Sequence, residues 1–222
     1  MDSTGRAGAW HDAIVRTAAL AVIGIGAAAC KGQPAPMSNA TRGAAPPVAA
    51  APEAPGAPAP GIWPLPGRNA QGWRYSPLDQ ITADNVKNLK VAWTFSTGTA
   101  RGFEGQPLVA NNTMYVVSPY PNHVFALDLT RVGGPVKWDY LPPTAPASQG
   151  EACCDVVNRG ASYADGEIVF NRLDDHTVAL DAKTGKVLWD TKLDSIEAGA
   201  TMTMAPLVVD GKVFVGNSGA EL

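Results

Sequence analysis

Asp165-Gly-Glu-Ile-Val-Phe170 runs on through His176-Thr-Val-Ala-Leu-Asp-Ala-Lys-Thr-Gly185 to Trp189, and this stretch decides the fold. Its β-branched and apolar residues come in short runs bounded by Asp-Gly and Thr-Gly pairs, the pattern of short strands joined by tight turns. The same pattern stands upstream as Asn111-Asn-Thr-Met-Tyr-Val-Val117, His123-Val-Phe-Ala-Leu-Asp128 and Trp138, and it opens again at Asp210-Gly-Lys-Val-Phe-Val-Gly216. Pro107-Leu-Val109 recurs as Pro206-Leu-Val208, and Trp93, Trp138 and Trp189 are spaced by 45 and 51 residues. A period of about 50 residues made of short strands predicts an all-β chain, a β-propeller with one four-stranded blade per repeat.

Each repeated position has a physical reading. The small Ala126 and Ala179 let the next blade approach closely, Thr184-Gly185 makes the tight turn, and the tryptophans pack across the blade interface. His123 and His176 occupy equivalent places before an Ala-Leu-Asp strand, which marks them as blade scaffold rather than ligands. The chain carries no His/Cys metal spacing, no Gly-x-Ser-x-Gly and no phosphate-binding loop.

Residues 1–32 read as an export signal. Arg6 and Arg16 precede the apolar run Thr17–Ala29, which is shorter than the roughly 20 residues a membrane-spanning helix needs. The run stops at Cys30, and Ala27-Ala-Ala-Cys30 resembles a lipid-attachment box; simple cleavage after an Ala-x-Ala is the other reading. Residues 33–61, with eight prolines and ten alanines, cannot bury enough apolar surface to offset ordering and form a semi-rigid spacer. Residues 62–222 have the composition of a globular β-protein. A net charge of −3 without any Lys/Arg block excludes nucleic acid as a partner, and Lys87, Lys90, Arg131 and the other scattered cations read as a solvated face.

From Trp63 to Leu222 the chain resembles the quinoprotein alcohol dehydrogenases of the methanol/ethanol dehydrogenase type. The matching text is Asn85-Val-Lys-Asn-Leu-Lys-Val-Ala-Trp-Thr-Phe-Ser-Thr-Gly98, Arg101-Gly-Phe-Glu-Gly-Gln-Pro-Leu-Val109, Cys153-Cys-Asp-Val-Val-Asn-Arg-Gly160, Thr201-Met-Thr-Met-Ala-Pro206 and Gly216-Asn-Ser-Gly-Ala-Glu-Leu222. Phe103 stands where some methanol-oxidising members have His, which leaves the subfamily open. The resemblance implies an eight-bladed periplasmic propeller that uses pyrroloquinoline quinone (PQQ) with Ca²⁺ or a lanthanide ion, oxidises a small primary alcohol to an aldehyde, and passes electrons to a cytochrome c. About three N-terminal blades are expected here, the chain being read as truncated. No catalytic residue is assigned within it, because the family's catalytic Asp lies beyond Leu222.

PQQ is a flat quinone with three carboxylates, so its site needs cations and hydrogen-bond donors at the rim and flat surfaces above and below. By resemblance, Arg159 pairs with the cofactor, its guanidinium fork suiting oxygen atoms. Glu104, Thr203 and Ser218, with the backbone of Gly219 and Ala220, would bond the carboxylates and ring, Glu104 sharing a proton with its acidic ligand. Glu221 would be the metal ligand, an oxygen donor for a hard cation. Cys153 and Cys154 would form a lid over the quinone, joined as a disulfide. Adjacent Cα atoms lie about 3.8 Å apart, closer than the usual span, so that ring is strained; export gives it an oxidising compartment, against the alternative of two free thiols. Two other classes share the repeat: a non-catalytic lipoprotein of the outer-membrane-assembly type, which binds proteins, and sugar dehydrogenases, which as a rule lack adjacent cysteines. Lipid on Cys30 would attach the protein to a membrane.

Overall fold

A computed structural model of the chain describes residues 57–152 and 155–219. All of them fall within the unit Ala49–Leu222. Cys30, Cys153, Cys154, Ala220 and Glu221 lie outside the described residues, as does most of the predicted leader and spacer.

The first blade is an antiparallel sheet of β2 (Leu108–Ala110), β3 (Thr113–Val117), β4 (Val124–Asp128) and β5 (Val136–Tyr140). The second contains β6 (Asn158–Ala164), β7 (Glu167–Arg172), β8 (His176–Asp181) and β9 (Val187–Lys192). The hairpin β10 (Leu207–Val209) with β11 (Lys212–Phe214) opens a third. One strand departs from the expected four per blade. β1 (Phe103–Gln106) leaves the first sheet and pairs in parallel with β6, Phe103 opposite Asn158 and Gln106 opposite Gly160. Pro107, which has no N–H to give a ladder, stands where β1 ends and β2 begins.

The blades meet through the alternating inward residues of both sheets. Leu108, Tyr115, Val117, Val124 and Ala126 of the first pack against Ala161, Ile168, Phe170, Val178 and Leu180 of the second. Ala126 stands directly opposite Trp138, and Ala179 opposite Trp189. The Trp138 indole N–H donates to the Ala182 carbonyl at 3.0 Å, and its ring lies against Gly185, where a Cβ would come within 2.7 Å. Trp93 lies in the same way on Gly134, 3.0 Å from where a Cβ would stand. The repeated Trp and Gly are therefore two halves of one contact between consecutive repeats. His123 and His176 each meet an aspartate on the neighbouring outer strand, His123 Nε2 to Asp139 at 2.8 Å and His176 Nδ1 to Asp190 at 2.6 Å.

The expectation of uniformly solvated cations fails at two arginines. Arg68 is buried, and its guanidinium donates to the carbonyls of Tyr75 and Pro58 at 3.0 and 2.8 Å. Arg172 is 3% exposed and donates to Asp174, Asp190 and the Pro143 carbonyl. For Arg68 the partners are set by the path of the loops; Arg172 has Asp174 two residues on, but Asp190 and Pro143 reach it only through the fold.

Asp175, in the turn between β7 and β8, is fully buried with a left-handed φ of 63°. Neither of its carboxylate oxygens meets a donor in hydrogen-bonding geometry. Burial and then the charge of Asp194 push this carboxyl above its usual range; the Asp194 N–H and the Asn217 side chain pull it back only in part. A raised folded-state value makes the carboxyl's contribution to stability complete below the ordinary carboxylate range and lost as pH rises through the raised value. Asp175→Asn removes the titration and the buried charge. The variant should melt higher than the parent at neutral pH, with the difference shrinking on acidification. Parallel melting-temperature profiles from pH 4 to 8 would contradict this.

Candidate functional site

The site is built where the inner strand of the second blade meets the segment entering the third. β6 starts at Asn158 and carries Arg159 and then Gly160, whose φ of 109° is a conformation that side chains rarely adopt. A Cβ on Gly160 would lie 3.1 Å from the Gln106 carbonyl oxygen, so glycine lets β1 and β6 close up beside Arg159. Across the blade boundary, the Arg159 backbone N–H donates to the Thr203 carbonyl at 2.9 Å.

The side chains repeat that link. Arg159 Nη1 donates to Thr203 Oγ1 at 2.6 Å, and Nε lies 3.1 Å from Glu104 Oε2. Three residues widely separated in sequence, Glu104, Arg159 and Thr203, are thus joined in one polar clamp. The charge of Glu104, expected from the sequence to need a shared ligand proton, is met here by Arg159. Thr203 is buried, while the Arg159 and Glu104 side chains are 42% and 49% exposed, so the clamp has a fixed base and an open mouth.

That mouth opens on a cleft of ≈ 420 Å³ lined by Glu104, Arg159, Gln106, Asn69, Arg74 and Pro206 among others. Arg74, Asn69 and Gln106 were not singled out in the sequence. Arg74 lies in the Trp63–Tyr75 stretch, whose only sequence signal was its place at the start of the globular region. The structure brings Arg74 to the cleft wall through a turn in which the Arg74 N–H donates to the Gly67 carbonyl at 3.0 Å.

Ser218 stands close to the clamp along the chain's return. Thr201 and Ser218 form an isolated antiparallel bridge with reciprocal backbone bonds of 2.7 and 2.8 Å, two residues from Thr203. Gly219 follows with a φ of 116°, and a Cβ there would fall 1.7 Å from the Gly199 carbonyl oxygen. Only glycine fits between Ser218 and the next residues. Among the described residues no group of three or more His, Cys, Asp or Glu side chains gathers as for a metal ion, and Glu221 lies outside them.

The flanks of the cysteine pair are tied down. The Asp155 N–H donates to the Ala152 carbonyl at 3.2 Å, Val156 is buried, and its carbonyl accepts the Tyr120 N–H at 2.8 Å. Upstream, the loop is held by Asp174, whose Oδ2 accepts the Ala145 N–H at 3.0 Å, and by Arg172 on the Pro143 carbonyl.

Residues 63–221 match the family model described as "PQQ: Glucose/ethanol/alcohol dehydrogenase, beta-propeller domain". The chain is 52% identical over 162 residues to the lanthanide-dependent methanol dehydrogenase of Methylacidiphilum fumariolicum, covering 73% of this chain and 26% of that protein. It is 46% identical over 166 residues to the methanol dehydrogenase [cytochrome c] subunit 1 of Methylobacterium organophilum, covering 72% and 26%. The solved structure of a europium-containing methanol dehydrogenase superimposes with a TM-score of 0.71 at 52% identity, over 73% of this chain and 28% of that one. The chain therefore spans about a quarter of the length of these relatives.

Proposed function

This chain belongs to the PQQ β-propeller family of alcohol dehydrogenases, and from that premise we propose that Glu104, Arg159 and Thr203 hold the polar rim of PQQ in an enzyme that oxidises a primary alcohol of the methanol or ethanol type. The observation that carries this reading is the single guanidinium shared between Glu104 and Thr203 at the mouth of the cleft.

The described residues suit such a group. The cleft volume falls within the range of about 300–1,000 Å³ common to small-molecule sites. The Arg159 side chain is only partly buried, which leaves its planar fork accessible from the cleft, and Glu104 fixes the fork's direction. Thr203 Oγ1 accepts from Arg159, which frees its own O–H to donate outward. Ser218 and the backbone of Gly219 and Ala220 form the next part of the rim. Bound there, PQQ supplies a two-electron acceptor for the alcohol's hydride.

The other assignments follow the family resemblance. Glu221 ligates a hard cation, Ca²⁺ or a lanthanide, and Cys153 and Cys154 form a disulfide lid over the quinone. The enzyme works in the periplasm with a cytochrome c as electron acceptor. Cys30 carries the lipid that anchors it, with residues 33–61 as tether. No helix among the described residues is long and apolar enough to cross a membrane.

The test is Arg159→Lys in the dehydrogenase that contains these blades. A lysine keeps the charge but loses the fork that reaches Glu104 and Thr203 together. Losing a charge-assisted bond costs about 1.5–3 kcal/mol, so the PQQ dissociation constant should rise roughly ten- to a hundredfold. It is read by titrating the apo protein with PQQ and following the quinone's absorbance. An unchanged constant in a folded variant overturns the reading.

A further inference from the structure

The segment Thr203–Pro206 runs beside the second blade without forming a strand with it, and three of its carbonyls are nonetheless each bonded from that blade. Thr203 O takes the Arg159 N–H at 2.9 Å, Met204 O takes Asn171 Nδ2 at 3.1 Å, and Pro206 O takes the Ser162 hydroxyl. Two of the three donors are side chains, those of Asn171 and Ser162, and Pro206 has no N–H with which to add a backbone bond of its own. The placement of Thr203 against Arg159 therefore depends on side chains that the cofactor reading does not use.

Asn171 is the central one. It lies on β7, one strand removed from Arg159, and is fully buried. Its Oδ1 accepts the Thr177 hydroxyl at 2.9 Å, which fixes the amide so that Nδ2 faces the Met204 carbonyl. Its backbone carbonyl accepts Asn158 Nδ2 at 2.8 Å, and Asn158 Oδ1 accepts the Gly160 N–H at 2.8 Å. The two residues that bracket Arg159 and the residue that follows Thr203 are thus all referred to Asn171. Met204 carries the chain of contacts on, its sulfur accepting the Gly216 N–H at 3.0 Å two residues before Ser218.

We propose that Asn171 is a positioning residue for the cofactor rim, acting through its side-chain bond to the Met204 carbonyl to hold the Thr203 hydroxyl and the Arg159 fork at a fixed separation across the boundary between the second and third blades. The inference rests on the reading of that clamp as the PQQ rim. A buried asparagine that served only blade stability would need its own polar atoms satisfied; here its donor is aimed at the neighbouring blade's rim segment, beside the residue that contacts Arg159.

The experiment uses the complete dehydrogenase in apo form, titrated with PQQ. Asn171→Asp keeps the size and the acceptor for Thr177 but replaces the donor to Met204 O by a carboxylate oxygen, which repels it. The expected result is a PQQ dissociation constant raised about tenfold with kcat at saturating PQQ changed less than about threefold, the cost of one lost bond of ordinary strength plus the repulsion. In a Thr203→Val background, where the clamp is already open, the same substitution should change the constant less than about twofold. A folded Asn171→Asp protein that is less heat-stable but binds PQQ as the parent does overturns the proposal, as does an undiminished effect in the Thr203→Val background. If Asn171→Asp does not fold, Thr177→Val, which releases the amide without adding charge, should raise the constant about threefold; no change there is equally fatal. Arg159→Lys in the same titration separates the two levels. If it too leaves PQQ binding intact, the cofactor reading fails; if it weakens binding while the Asn171 and Thr177 variants do not, only the positioning role fails.

Discussion

Arg172→Ala is expected to destabilise the protein by about 3–5 kcal/mol, the usual cost of removing one partner of a buried ion pair. Arg172 Nη2 and Nε meet Asp174 at 2.6 and 3.0 Å, Nη1 meets Asp190 at 3.0 Å, and Nη2 also donates to the Pro143 carbonyl at 2.8 Å. Without it, Asp174 is left as a carboxylate that is only 6% exposed, still accepting the Ala145 N–H but with no counter-charge. The loss is set by the stranded charge more than by the missing bonds. Arg172→Met combined with Asp174→Leu should therefore recover much of what Arg172→Ala loses. Denaturant unfolding of the parent, the single and the double variants measures both effects. A double variant no more stable than Arg172→Ala would show that packing, and not the buried charge, governs this site. Because Pro143 and Ala145 lie on the loop leading to Cys153, the single variant should also be cut faster by protease between residues 141 and 152.

Gly219→Ala is the second large effect. The backbone there is at a φ of 116°, and the new Cβ would overlap the Gly199 carbonyl oxygen at 1.7 Å. Strained backbone alone costs about 1–3 kcal/mol, and forced displacement of packed atoms adds a similar amount. Relief requires moving Gly199 or Ser218 and so breaking the Thr201–Ser218 bridge. The outcome should be a total loss of about 3 kcal/mol or more, with weaker PQQ binding because Ser218 is displaced. Gly166→Ala is the control, since Gly166 also has a positive φ, 85°, but nothing lies within 4 Å of its Cβ position. Gly166→Ala should cost only about 1–3 kcal/mol of backbone strain and leave PQQ binding untouched. Equal effects on binding from the two substitutions would refute the steric argument.

The sequence by itself determined the propeller. Strand alternation, the Asn-Asn and Asp-Gly turns and the recurring Ala, Gly and Trp are local signals repeated at a fixed period. Each copy needs the next to cover its apolar face, as Trp138 on Gly185 and Ala182 bears out. Text matched by family also put Glu104, Arg159 and Thr203 forward together, and the folded chain does bring them within hydrogen-bonding distance. What the tertiary structure decided lies between repeats. It decided that the Glu104 charge is met by Arg159, that the buried Arg172 rather than a solvated one secures the loop before Cys153, and that Arg74 reaches the same cleft. It alone linked Asn171 to the Met204 carbonyl and buried the Asp175 carboxylate with neither oxygen in hydrogen-bonding geometry. The reason is physical. Periodicity reports which face of a strand is buried, because that depends on neighbours one or two residues away. The partner of a charge or an amide depends on which loops cross at a blade boundary, and residues such as Asn171 and Met204 come into register there only once the blades have packed.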